Sequence, residues 1–357
     1  MIKKLFTPKF FIVFIFLTLL MKPVWLFDIQ NLGFDGDDLS YWLHATSIAI
    51  DYDLLYLDDH NLGSDIFHEN TNAPSHPPGA GYFSAPFVYA FNILDKITGN
   101  DLDRINPIGS YSYLGYFFAT QFYTLIGFYF LSKLFSINRT EKFQYSILFL
   151  AYLSTLVHYS ATRFLMSHAI EFCFVSMLFY FFEKNTELTL KQLNYCIFIY
   201  FCLSITRPST FLISLCFVLM YRAKIIPYIK NFRPFFLLAI LVTIYIFISQ
   251  TLYESNNILL SLSENKTTES FVDSISFQTL LQGFFKLPQL FFSTSGGLIW
   301  TTPIIFFGTI CYFINQFNNK NFNFEFFVFS SLFLIGFFII AMVWQGREVA
   351  YGQRLFI

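Results

Sequence analysis

Charge is what this chain lacks most. Only 13% of its 357 residues are Asp, Glu, Lys or Arg, against roughly 25% in an ordinary soluble chain. With 55% hydrophobic residues and a mean hydropathy of +0.53, too few polar side chains remain to cover a water-facing surface. A wholly soluble protein is thereby excluded, and lipid is the solvent for much of the chain. No basic patch of the nucleic-acid-binding kind occurs. Cysteine is sparse as well. Its five positions, Cys173, Cys196, Cys202, Cys216 and Cys311, all lie in apolar runs and none forms C-x-x-C, which argues against a disulfide framework or a zinc site. There is no repeat of fixed period and no low-complexity tail.

What the chain has instead is a series of long apolar runs. A bilayer-spanning helix needs about 20 largely apolar residues, because its backbone must satisfy its own hydrogen bonds in the hydrocarbon core. That template fits residues 9–27, 111–135, 143–162, 164–182, 193–206, 209–221, 234–253, 297–315 and 325–344. The first run follows "MIKK" and is longer than a signal-peptide core, with no A-x-A cleavage site after it, so it is expected to stay as the first span. Lys and Arg set the orientation. With the N-terminus inside, 13 of the 22 basic residues fall in short inside segments, among them Lys3, Lys4, Lys184, Arg222, Lys230 and Arg233. The sequence therefore predicts an all-α polytopic membrane protein of about nine spans with a cytoplasmic N-terminus. Two long loops, 28–110 and 254–296, fall outside. The first carries interfacial helices. "LSYWLHATSIAI", residues 39–50, reads as amphipathic, and "GAGYFSAPFVYAFNILDKI", residues 79–97, is apolar but interrupted by Pro86.

The polar residues that membrane physics does not account for share the outer side. "GFDGDDLSYW" puts Asp35, Asp37 and Asp38 at the mouth of the first loop, and "SHPPGAGYF" places His76 later in it. "RFLMSHAIEF" brings Arg163, His168 and Glu171 to the outer start of the fourth span. Arg207 sits in the short "TRPST" turn, "STSGGLIWTTP" opens the eighth span from outside, and "WQGREVAYGQR" after the ninth adds Arg347 and Arg354. Ionisable groups at membrane depth cost about 2.5–3.5 kcal/mol each on insertion scales, so a functional role is the default reading. Carboxylates can take a proton from an attacking hydroxyl, and arginines present bidentate donors to phosphate oxygens. Bland readings stand beside these. Most acids of the first loop are solvated, His76 can be a packing residue, His168 can hydrogen-bond within the bundle, and Arg163 reads as an interfacial snorkeller. Asp35-Gly36-Asp37 is a D-x-D string of the kind seen in metal-dependent sugar-nucleotide sites. No cofactor is firmly implied, and Asp35 and Asp37 are the positions a divalent metal would take.

"GDDLSYWLHATSIAIDYDL" followed by "HPPGAGYFSAPF", with "GLIWTTPIIFFG" and "WQGREVAYGQR" further on, resembles the GT-C superfamily of lipid-carrier-dependent glycosyltransferases. Among these it is most similar to protein O-mannosyltransferases and the aminoarabinose transferase of lipid A. The resemblance runs over residues 9–357 and implies a single transmembrane domain that inverts a sugar's anomeric centre. The sugar would pass from a polyprenyl phosphate to an acceptor hydroxyl (lipid, glycan or protein) outside the cell. It implies catalytic roles for the acidic pair Asp37 and Asp38, with Asp37 as base. Tyr41, His76, His168, Arg207, Arg347 and Arg354 would line the substrate site. The second acid is Asp where Glu is common, and Arg347-Glu348 departs from the small or aromatic residues of many relatives. Such enzymes continue with more helices, so the chain is expected to be C-terminally truncated. A bacterial inner membrane, with the site facing the periplasm, is the expected location. The competing class is a transporter or flippase of a lipid-linked saccharide, which would place its polar groups at mid-membrane in repeated halves.

Overall fold

The computed structural model describes residues 36–54, 76–100, 106–136, 158–184, 187–253 and 303–319, with a few positions between and beyond them. Eight helices of two turns or more account for most of these residues, and no strand occurs among them. They are α1 (Gly36–Thr46), α2 (Gly79–Thr98), α3 (Tyr111–Ser136), α4 (His168–Lys184), α5 (Leu190–Thr206), α6 (Pro208–Met220), α7 (Phe232–Tyr253) and α8 (Pro303–Asn318). Two stretches, Tyr111–Leu134 and Phe232–Tyr253, are long and apolar enough to cross a bilayer. At 1.5 Å per residue they reach about 33–36 Å, against a hydrocarbon core of about 30 Å. α7 leaves Phe232, Phe235, Phe236, Leu238 and Phe247 exposed. A contiguous apolar face of this kind marks contact with something other than water, and with the two long helices it suits membrane association.

α2 and α3 form a hairpin sealed by one buried carboxylate. Asp95, near the end of α2, accepts hydrogen bonds from the Tyr111 and Ser112 amides at 2.8 and 2.7 Å, from Ser112 Oγ at 2.6 Å and from Asn100 Nδ2 at 2.9 Å. It thus satisfies the first free N–H groups of α3 and sets a negative charge at that helix's positive end. α2 runs unbroken through Pro86, so the interruption expected there is absent. α5 opens with a reciprocal capping box between Thr189 and Gln192.

Two expectations are corrected. The stretch 39–50 does not lie as an amphipathic helix at an interface. From Asp38 to Thr46 α1 is buried, with Asp38, Ser40, Trp42, His44 and Thr46 each at 0% exposure, because α2 packs directly against it. Gly81 permits that approach, since a Cβ there would sit 2.5 Å from His44 Cβ and 2.6 Å from the Tyr41 carbonyl oxygen. The predicted span 164–182 begins only at His168. Residues 163–167 form an irregular turn whose backbone is held by α3. Thr120 Oγ1 donates to the Phe164 carbonyl at 2.7 Å and the Tyr116 hydroxyl to the Leu165 carbonyl at 3.0 Å. Just upstream, Gln121 Nε2 donates to the Ser160 carbonyl at 2.5 Å. Non-helical backbone away from water is tolerable only where protein groups satisfy it in this way. Of the other predicted spans, 9–27 and most of 143–162 and 325–344 lie outside the described residues. The apolar runs 193–206, 209–221, 234–253 and the described part of 297–315 are helical, as α5 to α8, and of these α7 alone is long and apolar enough to cross a bilayer.

Candidate functional site

The first turn of α1 carries Asp37 and Asp38, a favourable place for negative charge. Being adjacent on a helix, the two point about 100° apart, and their surroundings differ accordingly. The Asp38 side chain is fully buried and ion-paired through Oδ2 with Arg163 Nη2. Its Oδ1 is buried without a hydrogen-bond partner among the described residues. Arg163 therefore turns inward from the irregular turn before α4 instead of snorkelling along the lipid boundary. Asp37 keeps 34% side-chain exposure, and its Oδ1 lies 3.2 Å from Nε2 of His76.

His76 is held from several directions. Its Nδ1 lies 3.3 Å from Ser40 Oγ. With Nε2 facing a carboxylate, which only accepts, the ring's proton belongs on Nε2 and Nδ1 takes the hydroxyl's hydrogen. Its backbone carbonyl accepts from His44 Nε2 at 2.8 Å and from the Tyr253 hydroxyl of α7 at 2.8 Å. His44 completes the chain by accepting at Nδ1 from the Tyr56 hydroxyl at 2.6 Å. Burial disfavours a charged ring, and the His44 pKa falls from 6.5 to about 3. Between those values the unfolded chain takes up a proton that the folded chain refuses. His44 therefore opposes unfolding fully above about pH 6.5, and this contribution declines as pH falls toward 3, by about 1.4 kcal/mol per pH unit. The unfolding midpoint is expected to drop between pH 7 and pH 4.5, and to drop less in His44→Gln; identical pH profiles for the two proteins would contradict this.

A second group forms where α4, α5 and α6 meet. Arg207 precedes Pro208, which disfavours the helical conformation in the residue before it. Its backbone is extended, at φ −157° and ψ 95°, so α5 ends and α6 begins at this residue. Arg207 Nη1 donates to Glu171 Oε2 at 3.0 Å and to His168 Nδ1 at 2.6 Å. Thr210 Oγ1 donates to the other Glu171 oxygen. His168 packs on the Tyr159 ring with centroids 4.0 Å apart. Both His168 and Glu171 are buried, so the pair is a fixed anchor for the guanidinium. Nε and Nη2 of Arg207 have no partner among the described residues, and the side chain is 18% exposed.

The two groups lie close together, with Asp37, Arg207 and Glu171 all near enough to act on Tyr41. The Tyr41 hydroxyl, whose pKa burial raises to about 12, donates to Ser167 Oγ at 3.4 Å beside His168. Gly79, three residues after His76, touches the backbone of Thr206, so that a Cβ there would lie 2.6 Å from the Thr206 nitrogen. Asp37, Asp38, Tyr41, His76, His168 and Arg207, expected from the sequence to act together, are thus brought into one neighbourhood. Arg347, Arg354 and Asp35 lie outside the described residues. Among the described residues no cluster of three or more metal-ligating side chains occurs. His44 has a place in this network that its sequence context did not single out, and Arg163 lies inward, where a snorkelling position was expected. Asp37, Tyr41 and His44 stand at i, i+4 and i+7, one face of a helix, and that spacing was the available signal for His44.

No protein-family model, curated protein or solved structure matches this chain.

Proposed function

We propose that this chain is an integral-membrane glycosyltransferase of the GT-C kind, which takes a sugar from a polyprenyl phosphate and places it on an acceptor hydroxyl at the non-cytoplasmic face. The reading includes nine or more spans, an inside N-terminus and a bacterial inner membrane with the site toward the periplasm. The observation that carries it is the pairing of a partly exposed carboxylate, Asp37 beside His76 Nε2, with an anchored arginine whose remaining donors have no partner among the described residues.

The division of labour follows from that geometry. An acceptor hydroxyl attacks the anomeric carbon from the face opposite the phosphate, and its proton passes to Asp37. His76 Nε2–H orients the carboxylate, 3.2 Å from its Oδ1. The bond between the anomeric carbon and the phosphate oxygen breaks as the new glycosidic bond forms, so the configuration inverts. Polyprenyl phosphate leaves with an added negative charge, which Arg207 stabilises through Nε and Nη2 while Glu171 and His168 keep Nη1 in place. A preorganised donor at such a position contributes about 10²–10³ in rate. Asp38 and Arg163 hold the first turn of α1 from behind.

The test is release of polyprenyl phosphate from labelled polyprenyl-phosphate sugars by purified protein in the presence of a hydroxyl acceptor, with and without EDTA. Turnover that survives chelation is the expected result and matches base catalysis by Asp37. Turnover lost with EDTA would move Asp37 into a metal site. Movement of intact lipid-linked saccharide across vesicles with no release would favour a flippase instead.

A further inference from the structure

An apolar hollow of about 650 Å³ lies between α5, α6 and α7. It spans the length of α6, from Pro208 beside Arg207 to Ile225, Tyr228 and Ile229 in the turn at the helix's far end. Ser204 is its one small polar residue. The hydroxyl of Tyr200 is taken by the Ser214 carbonyl at 2.8 Å and that of Tyr228 by the Leu188 carbonyl. A hollow so lined offers water almost nothing to bond to and suits a hydrocarbon chain.

Charge distinguishes its two ends. At the Pro208 end the neighbouring cation is Arg207, which is ion-paired with Glu171. At the other end, "YRAKIIPYIKNFRPFF", residues 221–236, holds Arg222, Lys224, Lys230 and Arg233 and no acid. Lys224 Nζ donates at 2.5 Å to the carbonyl of Phe182, which lines the hollow. The Arg222 guanidinium lies 4.0 Å from the centre of the Phe324 ring. Lys230 directly follows the lining residue Ile229, and Arg233 directly precedes the lining residue Pro234. Both are exposed and make no ion pair among the described residues. The 22-residue α7 begins between them, its Arg233 amide capped by Asn231 Oδ1 at 3.1 Å, so the two side-chain cations are what this end presents.

We propose that this hollow is a binding site for an anionic phospholipid. One acyl chain lies between α6 and α7, and the phosphate sits on the side chains of Lys230 and Arg233, at the end of α6 remote from Arg207. The site is separate from the carrier lipid of the proposed reaction, whose phosphate belongs at the opposite end.

The full chain reconstituted in phosphatidylcholine vesicles would be exposed to traces of phosphatidylglycerol carrying a photoactivatable acyl chain, with no sugar donor present, and the labelled residues mapped by mass spectrometry. Labels are expected on Leu215, Val218, Leu238 and Val242, displaced by unlabelled phosphatidylglycerol and not by added phosphatidylcholine. A basic residue at an anionic lipid surface is worth about fivefold in binding, so Lys230→Ala with Arg233→Ala is expected to weaken labelling about thirtyfold. Leu215→Trp, which fills the hollow and leaves every charge in place, is expected to remove the same labels. Labels spread over Phe236, Ile240 and Phe247, or indifferent to the double variant, would mean ordinary boundary lipid and overturn the proposal. Displacement by polyprenyl phosphate alone would assign the hollow to the carrier chain and overturn it equally. Because the readout is binding without turnover, its failure is distinguishable from failure of the transferase reading.

Discussion

Asp37→Asn is expected to lower sugar transfer by about 10²–10⁴, the range a positioned general base supplies, while the protein still folds. The substitution keeps the side chain's shape, and its amide oxygen can still accept from His76 Nε2, 3.2 Å away in the native protein. What it removes is the lone pair that can take a proton at neutral pH. Asp37 is partly exposed and is not a strut of the fold, so the loss should appear in kcat with little change in unfolding midpoint. His76→Gln should keep part of the activity, because a glutamine amide can donate to Asp37 as the imidazole does. Wild-type turnover in folded Asp37→Asn would remove Asp37 from the mechanism and with it the observation on which the reading rests.

The lengths of the helices were largely legible. Apolar runs at 111–135, 209–221 and 234–253 foretold α3, α6 and α7 to within a residue or two at each end, because burial in lipid or apolar core leaves a continuous hydrophobic signal. The "TRPST" break was also legible, since proline acts locally on the residue before it. The interior of the first loop was not. Leu39, Trp42 and Leu43 fit one face of a helix, yet Ser40, Tyr41 and His44 of α1 are just as buried, and these polar side chains meet remote partners. Ser40 meets His76, and Tyr41 reaches Ser167 across 126 positions of sequence. Pairings of that kind depend on how helices dock, which no periodicity records. Arg163 shows the same limit. An arginine at the end of an apolar run is ordinarily a snorkeller, and only the packing of α1 against the turn before α4 supplies the carboxylate that draws it inward.

That inward pair is the other large expectation. Removing either partner of Asp38–Arg163 breaks a buried ion pair, a loss of about 3–5 kcal/mol in stability. Arg163→Ala takes the ion-pair partner from a carboxylate that is 0% exposed, and Asp38→Ala takes one from a guanidinium whose side chain is only 13% exposed. Both should lower the unfolding midpoint far more than Asp37→Asn does. Asp38→Leu combined with Arg163→Met removes both charges, and replacing a buried pair by apolar groups of similar size is often close to neutral. The double variant is therefore expected to recover most of the stability that each single change loses. Its turnover then separates two roles for Asp38. Activity returning with stability makes Asp38 a support that aims Asp37 through the first turn of α1. A stable double variant that does not turn over would assign the buried carboxylate to the reaction itself, with its unpartnered Oδ1 as the atom that acts.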